Sequence, residues 1–268
     1  MSQKVVLVTG GSSGIGKSIC LLLASNGYKV YGTTRNVANY SNFSAFDLLE
    51  MDVRNIETIK HTVNEIIAKE GKLDVVINNA GVGITGPIEE TPHSEILSAF
   101  ETNFNGPLHV IKEVLPHMRK QGEGFIINIT SIAGYMGLPF RGIYSASKGA
   151  LSILTEAIRM ETKEFNIKVC SLAPGDFVTN IASGRYHAPI DKNSAYKKYA
   201  ESLEMMNEHV ADGQDPILVA KTVLKILNTK KPKVHYKVGA FLQKFSLILK
   251  KILSDKLYEK LLMNHYKL

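Results

Sequence analysis

The chain has 268 residues, a net charge of +7 at neutral pH, and 44% hydrophobic and 21% charged residues. This length and composition fit one large α/β domain and exclude collagen, coiled coil and wholesale disorder. Cys20 and Cys170 lie far apart in apolar runs, which argues against a disulfide framework and favours a reducing compartment. The sequence contains neither a signal-peptide pattern nor an apolar run of about 18 residues, so we expect a cytoplasmic protein.

The positive charge is concentrated near the C-terminus. Residues 1–220 sum to −3, whereas residues 221–268 hold 12 lysines against Asp255 and Glu259 and sum to +10. A basic segment of this kind binds nucleic acid, a membrane surface or another polyanion, or is simply solvated. Because it has no arginine and few aromatic residues, it is poorly suited to reading bases, and we expect no nucleic-acid partner.

Continuous apolar runs alternate with segments of helical periodicity along the chain. The apolar runs predict strands at Val5–Thr9, Lys29–Thr34, Ala45–Met51, Leu73–Asn78, Phe125–Thr130, Ile167–Ala173 and Val234–Val238. The periodic segments predict helices at Gly16–Ser25, Ile56–Lys69, Ile96–Lys120, Ala146–Glu164 and Ile217–Leu227. This order predicts a Rossmann-type, doubly wound parallel sheet of about seven strands with helices on both faces.

Two segments interrupt this alternation. Residues 176–214 form a long polar and aromatic insertion, and a helical pattern follows the last strand. We therefore expect a single domain over residues 1–240, which includes the insertion, and a C-terminal helical extension over residues 241–268.

A glycine-rich turn follows the first predicted strand and reads Thr9-Gly10-Gly11-Ser12-Ser13-Gly14-Ile15-Gly16. Glycines permit a tight turn and a close approach of the backbone to a pyrophosphate, which then sits on the N–H groups of the next helix. A strand-to-helix junction is the context in which such a turn binds phosphate. We therefore predict that a dinucleotide is bound by Gly10, Ser12, Ser13, Gly14, Ile15 and Gly16.

This turn resembles the glycine-rich segment of the classical short-chain dehydrogenase/reductase family, and the resemblance covers nearly the whole chain. Asn78–Gly81 resembles the family's NNAG segment, and residues 174–179 resemble its PGxVxT segment with Phe177 in place of the usual valine. Asp52 follows the third strand, where the family has an acidic residue against the adenine. The resemblance implies further cofactor contacts from Asp52, Val53, Asn79, Ala80, Gly81, Pro174, Gly175, Phe177 and Thr179.

The end of the second strand bears on which dinucleotide is bound. Sheets that bind NAD usually carry a carboxylate there for the ribose hydroxyls, but the segment Tyr31–Asn36 has none. Arg35 offers a planar guanidinium suited to a 2′-phosphate, unless it is merely a solvated surface residue. In the family, arginine at this place marks members that prefer NADP. We therefore favour NADP(H) over NAD(H).

Tyr144 and Lys148 are four residues apart, which places both side chains on one face of a helix. Ser131 ends the fifth strand thirteen residues before Tyr144, and Asn103 precedes both, in the family's catalytic order. The resemblance implies that Tyr144 protonates a carbonyl oxygen, which Ser131 also hydrogen-bonds. It implies that Lys148 holds the nicotinamide ribose and favours the phenolate, and that Asn103 supports a water in a proton relay. Tyr144 and Lys148 thus also count as cofactor contacts.

Two other kinds of active site are not supported by the sequence. The eight histidines are scattered without an HExxH motif or a cluster with cysteine, so we expect no metal site. Ser131 is not part of a G-x-S-x-G turn, which excludes the usual esterase triad.

By resemblance, residues 176–214 are the family's variable substrate-binding loop. The residues at helical spacing within it are Ala195, Tyr196, Tyr199, Ala200, Leu203 and Met206. Such a stripe more often packs than lines a pocket, although Met205-Met206 suits an adaptable apolar ligand. The apolar loop Gly134–Phe140 lies between Ser131 and Tyr144.

Residues 31–35 and 131–148 look most like the hydroxysteroid and retinol dehydrogenase branch of the family. The sequence thus favours an NADP(H)-dependent oxidoreductase that interconverts a carbonyl and an alcohol on a small lipophilic substrate, which is steroid-, retinoid- or aldehyde/ketone-like. The alternatives are a 3-oxoacyl-thioester reductase, a non-catalytic NADP-binding regulator, and a protein that uses this fold as a scaffold at a membrane surface.

The C-terminal extension begins with an amphipathic basic pattern. Its apolar positions are Phe241, Leu242, Phe245, Ile248, Leu249, Ile252 and Leu253. This face can pack on its own domain or a partner subunit, cover the substrate entrance, or lie on anionic lipid. Since no linker separates it from the last strand, we expect it to pack on its own domain, with membrane contact not favoured. The resemblance implies a homodimer or homotetramer.

Overall fold

Seven of the strands form one parallel sheet in the computed structural model, which describes residues 3–178, 184–211 and 213–268. The strands are β1 (Val5–Val8), β2 (Lys29–Thr34), β3 (Asp47–Glu50), β4 (Val75–Asn78), β5 (Ile84–Thr85), β6 (Gly124–Ile129), β7 (Ile167–Pro174), β8 (Tyr186–His187) and β9 (His235–Val238). The sheet order is β3-β2-β1-β4-β6-β7-β9, and β5 pairs separately with β8. This confirms the predicted doubly wound sheet.

Helices cover both faces of this sheet. They are α1 (Gly14–Ser25), α2 (Ile56–Glu70), α3 (His93–Phe100), α4 (Gly106–Gln121), α5 (Gly142–Glu161), α6 (Tyr199–Ala211), α7 (Ile217–Leu227), α8 (Phe241–Ile252) and α9 (Asp255–His265). Successive side chains of a strand point to opposite faces. Val5 and Leu7 accordingly join the core beneath α2, α4 and α5, whereas Val6 and Val8 join the core beneath α1 and α7.

The topology places a cavity at the carboxyl ends of β1 and β4. Strand order reverses between these two strands, and open parallel sheets bind ligands in the crevice that such a reversal leaves. Cys20 and Cys170 are free and buried on one side of the sheet, and burial raises the pKa of both thiols. Neither cysteine lines the cavity in this crevice, so the site is built from other side chains.

The helix predicted at Ile96–Lys120 is interrupted in the structure. Between α3 and α4 the chain forms one π-helical segment, Glu101–Asn105, followed by Gly106 and Pro107 at the start of α4. Proline is tolerated in a first helical turn because its missing N–H would be unpaired there anyway. A π segment carries an extra residue in the turn and changes which side chains face the core, and Asn103 is completely buried within it.

The C-terminal extension forms two helices rather than one. Leu247 of α8 and Tyr258 of α9 are buried against Ile132 and Met136, and Leu249 and Leu253 pack beside them. The expectation that the whole apolar face of residues 241–253 packs on the domain is wrong for much of α8. Exposed side chains of that face are Phe241, Leu242, Phe245, Ile248 and Ile252.

None of the helices in the described part of the chain is both long enough and apolar enough to span a bilayer.

Candidate active site

The glycine-rich turn exposes the N-terminus of α1 to the cavity. Ser13 is the residue that precedes the helix, and its side chain makes no capping hydrogen bond. The backbone N–H groups of the first turn are therefore available to an anion. Gly10 and Gly14 have positive φ angles of 65° and 51°, and a Cβ on Gly16 would overlap the Gly10 carbonyl oxygen. Side chains at these places would distort the turn.

The loop after β4 supports this turn from below. The Thr9 hydroxyl oxygen accepts hydrogen bonds from the backbone N–H groups of Asn79 (3.0 Å) and Ala80 (2.9 Å). The Asn79 side-chain amide donates to the carbonyl oxygens of Thr9 (3.0 Å) and Gly10 (3.2 Å). The two segments that the resemblance assigns to cofactor binding are thus joined to each other by four hydrogen bonds.

One cavity of about 830 Å³ brings most of the predicted site residues together. Predicted residues that line it are Gly10, Ser12, Ser13, Gly14, Ile15, Arg35, Asp52, Val53, Asn79, Ala80, Gly81, Ser131, Tyr144, Lys148, Pro174, Gly175 and Phe177. Gly16 and Asn103 lie behind its wall, and Thr179 is outside the described residues.

The end of the cavity at β2 and β3 is positively charged. Arg35 is exposed there and lies close enough to Asp52 to help lower the pKa of that carboxyl. The larger cause is Arg54, whose guanidinium and backbone N–H both donate to the Asp52 carboxylate. Sequence inspection missed Arg54, although a second arginine two residues after Asp52 was visible. The Asp52 carboxylate thus lines the cavity while it accepts hydrogen bonds from Arg54.

Lys148 reaches the cavity from α5 with its ammonium buried. Its Nζ donates to the backbone carbonyl oxygen of Ile129 at 3.1 Å, and no carboxylate among the described residues pairs with it. Burial lowers the pKa of Lys148 to about 8. The amine is still mostly protonated at pH 7, so it remains a cation beside Tyr144, one helical turn away.

Ser131 and Tyr144 occupy the same wall of the cavity. The Ser131 hydroxyl oxygen accepts from the Ala133 N–H at 3.1 Å, which fixes the side chain at the start of a short 3₁₀ turn after β6. Tyr144 is buried in an apolar cluster with Ile84 and Ala133. Both side chains are largely shielded from bulk water while they line the cavity.

Asn103 connects the cavity wall that holds Tyr144 to the loop after β4. Its side chain accepts from the Val82 N–H at 2.9 Å and donates to the Val82 carbonyl oxygen at 3.0 Å. It also donates to the Ser147 hydroxyl, which in turn donates to the carbonyl oxygen of Tyr144. A Cβ on Gly81 would lie 3.1 Å from both Asn103 Oδ1 and Lys148 Nζ. Asn103 therefore holds in place the loop that faces Lys148.

Two arginines next to Tyr144 were not found by sequence inspection. The Arg141 guanidinium lies over the Tyr144 ring at 5.4 Å from its centroid. Arg185 is buried, lines the same cavity, and has an Nη1 atom without a hydrogen-bond partner in the described chain. Burial, followed by the Arg141 charge, lowers the pKa of Arg185. The end of the cavity at Tyr144 thus carries two cations close together, and the Asp176 carboxylate also lines the cavity.

The insertion closes over this end of the cavity. β8 pairs with β5, and the Tyr199 hydroxyl donates to the Thr85 carbonyl oxygen at 3.2 Å. As expected for the apolar stripe of this segment, Tyr199, Leu203 and Met206 pack, and they do so against Tyr266 near the end of α9. These side chains do not line the cavity, whereas Gly184 and Arg185 of the same insertion do. We call the described part of the insertion, residues 184–211, the lid; the C-terminal extension packs against it.

No group of three or more histidine, cysteine, aspartate or glutamate side chains in the described ranges is arranged to hold a metal ion.

The reversed strand order and the cavity beside it are those of a Rossmann-fold, nucleotide-binding oxidoreductase. More specifically, the chain belongs to the short-chain dehydrogenase family, whose model matches residues 4–189.

Two curated relatives and one solved structure illustrate the similarity. The 3-ketodihydrosphingosine reductase of Bacteroides thetaiotaomicron is 37% identical over 99% of both chains. Human 17-beta-hydroxysteroid dehydrogenase type 1 is 29% identical over 88% of this chain and 77% of its own length. The structure of ElxO with NADP bound has a TM-score of 0.70 and 28% identity, and covers 88% of this chain and 97% of that one. The expected short-chain dehydrogenase/reductase family is confirmed.

Proposed function

We propose that this oxidoreductase uses NADP(H) to interconvert a carbonyl and an alcohol on a lipophilic substrate. The observation that carries the proposal is that Ser131, Tyr144 and Lys148 line the same cavity as the N-terminus of α1. A phosphate cradle and a proton donor thus open into one space, as hydride transfer between a bound cofactor and a bound substrate requires.

The residues present fit the adenosine and pyrophosphate parts of NADP. The uncapped N-terminus of α1 supplies N–H donors for the pyrophosphate, and the glycines let it approach the backbone. Arg35, which has no ion-pair partner among the described residues, is free to pair with a 2′-phosphate. The solved structure of ElxO, with NADP bound, gives this choice further support. When bound, the cofactor supplies the hydride.

The chain's own residues would manage the proton. During reduction Tyr144 donates its phenolic proton to the carbonyl oxygen, which becomes the hydroxyl oxygen of the alcohol. Ser131 donates a hydrogen bond to the same oxygen and orients it. The Lys148 ammonium stabilises the phenolate left on Tyr144, and its low pKa keeps it able to exchange a proton. Asn103 holds the loop at Val82 in place, and its hydrogen bond to Ser147 connects it to the backbone carbonyl oxygen of Tyr144.

For the substrate we favour a long-chain 3-keto lipid. The Bacteroides relative, named for 3-ketodihydrosphingosine, aligns over 99% of both chains. The Tyr144 ring lies among Ile84, Ala99 and Ala133, with Val82 and Leu138 beside them. The loop before Tyr144 packs on the lid through Leu138 and Phe140, so the surface beside the Tyr144 cluster is apolar and suits a hydrocarbon chain. A carbonyl near one end of such a chain would then meet Tyr144.

A 3-oxoacyl thioester remains the second candidate because of Arg141 and Arg185. Two guanidiniums beside Tyr144, one with an unpartnered buried Nη1, outnumber the Asp176 carboxylate in the same cavity. They favour oxygen acceptors near the ketone over a protonated amine. The carbonyl oxygen of a 3-oxoacyl thioester, which lies close to the ketone, is such an acceptor. A free sphingoid base has an ammonium near its ketone, whereas its N-acylated form is neutral there.

We also propose that the protein forms a homodimer or homotetramer. The long helix α5 leaves Ile153 and Met160 exposed at positions i and i+7, on one face. Large apolar side chains repeated on one face of a solvent-facing helix are typical of a contact between subunits.

The test is an initial-rate panel monitored by the loss of NADPH absorbance. It compares 3-ketodihydrosphingosine, its N-acyl derivative, a 3-oxoacyl coenzyme A, a retinal and a 3-ketosteroid. We expect turnover with long-chain ketones, and with NADPH in preference to NADH. Exclusive turnover of the coenzyme A thioester would support the second candidate, and absence of turnover with any carbonyl compound would contradict the proposal.

A further inference from the structure

The most apolar face of helix α8 points away from the protein. Phe241, Phe245, Ile248 and Ile252 recur with helical spacing on one stripe, and Leu242 lies at its edge. Phe241, Leu242 and Ile252 are 74%, 76% and 73% exposed. Five large apolar side chains at a surface make a patch of roughly several hundred Å², a size that marks an interaction site.

The opposite side of α8 is the side that holds it to the domain. Leu247 is buried, and Gln243 donates from its amide to the Asp176 carboxylate at 2.6 Å and accepts from the Asp176 N–H. Asp176 lines the cavity and follows the Pro174-Gly175 segment. The stripe is thus presented outward by a helix that is fixed beside the substrate end of the site.

The charge around the stripe indicates what covers it. α8 has no acidic residue, and Lys244 and Lys251 lie along one edge of the stripe. α9 exposes Leu257 and Leu261 one turn apart, with Lys256 and Lys260 next to them in sequence. Lysines that border an apolar face extend their ammonium groups to the headgroup level while their stems stay with the acyl chains.

We propose that α8 docks the protein on an anionic lipid surface, with Phe241, Phe245, Ile248 and Ile252 among the acyl chains. Residues 221–268 carry a net charge of +10, which anionic headgroups would neutralise. A symmetric contact between two antiparallel copies of α8 would instead bring Lys244 of one copy toward Lys251 of the other, which costs free energy.

Docking in this orientation has a consequence for the active site. The lid packs against Tyr266 near the end of α9, and Gln243 of α8 is hydrogen-bonded to Asp176 at the cavity wall. A lipid surface against α8 therefore lies beside the elements that close the substrate end. A hydrophobic substrate would reach the cavity from the bilayer rather than through water.

The test is co-sedimentation of the full-length protein with vesicles, which needs no substrate. Vesicles of phosphatidylcholine alone are compared with vesicles of equal parts phosphatidylcholine and phosphatidylglycerol. We expect binding to the anionic vesicles, at least ten-fold weaker binding to the neutral ones, and weaker binding as salt is raised.

Two pairs of variants separate the apolar and the charged contributions. Phe241→Ser with Ile252→Ser should weaken binding to anionic vesicles at least ten-fold, whereas Ile88→Ser with Ile190→Ser, at side chains 64% and 61% exposed, should not. Lys244→Gln with Lys251→Gln should weaken it about ten-fold, and Lys120→Gln with Lys163→Gln should not. The melting temperature of each variant checks that the substituted surface residues leave the fold intact.

Two results would overturn the proposal. One is that the wild-type protein fails to bind anionic vesicles at physiological salt. The other is that Phe241→Ser with Ile252→Ser leaves vesicle binding unchanged and lowers the molecular mass measured by light scattering. The second result would assign the stripe to a contact between copies of the chain.

Discussion

Substitution of Lys148 by methionine tests the buried charge at the centre of the site. The Lys148 ammonium is enclosed by protein and keeps one hydrogen bond, to the Ile129 carbonyl oxygen. Burial lowers its pKa from 10.5 to about 8. Since each pKa unit corresponds to about 1.4 kcal/mol, holding this charge in the folded protein costs about 3 kcal/mol at pH 7.

The sign of the pH dependence follows from these two values. Between pH 8 and pH 10.5 the unfolded chain holds the Lys148 proton and the folded chain has released it. The free energy of unfolding therefore rises with pH through this window. From pH 7 to pH 9 the group adds about 1 kcal/mol to the stability of the wild-type protein, and methionine, with a stem of similar length, adds none.

The assay is urea unfolding of the cofactor-free protein at pH 7 and at pH 9, for the wild type and Lys148→Met. Titration of all other groups is common to both proteins and cancels in their difference. The free energy of unfolding of the variant minus that of the wild type should be about 1 kcal/mol larger at pH 7 than at pH 9, because only the wild type gains stability from the lysine as pH rises. Reductase activity should be lost, because the proposed ribose contact and the cation beside Tyr144 are both removed.

The control is Lys120→Met, at an exposed lysine, for which the difference from wild type should be the same at both pH values. If the free energies of unfolding of Lys148→Met and wild type also differ by the same amount at pH 7 and at pH 9, the Lys148 ammonium is not desolvated in the folded protein. The description of Lys148 as a buried, desolvated cation would then be wrong.

The remaining predictions concern the cofactor end of the cavity. Arg35→Ala should weaken NADPH binding roughly ten- to a hundred-fold and NADH binding little, since a charge-assisted hydrogen bond is worth about 1.5–3 kcal/mol. Fluorescence titration with each cofactor measures both affinities. An equal loss of affinity for NADPH and NADH would show that Arg35 does not contact the 2′-phosphate. Gly16→Ala should lower the free energy of unfolding by about 1–3 kcal/mol and abolish NADPH binding, because its Cβ would overlap the Gly10 carbonyl oxygen and the Asn79 amide. Urea unfolding measures the stability change, with Gly137→Ala, where a Cβ would contact nothing within 4 Å, as the control that should stay within about 0.5 kcal/mol. A Gly16→Ala protein as stable as this control would contradict the close packing beneath the turn.

The sheet and the phosphate cradle could be predicted because their signals are local. Buried parallel strands are continuous apolar runs, and each predicted strand of the sheet contains or closely overlaps an observed one. The glycine-rich turn shows its conformational requirement in its sequence, and the structure gives positive φ angles to Gly10 and Gly14.

The rest of the site depends on contacts between distant parts of the chain. Arg185 lies against Gly83, about a hundred residues earlier, and neither periodicity nor a motif connects the two. The π-helical segment that buries Asn103 was hidden because its sequence continues the helical pattern on both sides. For α8 the periodicity gave the amphipathic face correctly, but which side of the helix meets the domain is fixed by Gln243 and Leu247.

The most direct test of the central claim is the rate of NADPH oxidation by Tyr144→Phe with the best ketone of the substrate panel, measured together with NADPH affinity. The phenol is proposed to act on the substrate oxygen, and phenylalanine keeps the ring within its apolar cluster. We therefore expect turnover to fall at least about a thousand-fold, because the variant loses both the general acid and the hydrogen bond that orients the substrate oxygen. NADPH affinity should stay within a few-fold of wild type. Near-wild-type turnover in this variant would contradict the assignment of Tyr144 as the proton donor.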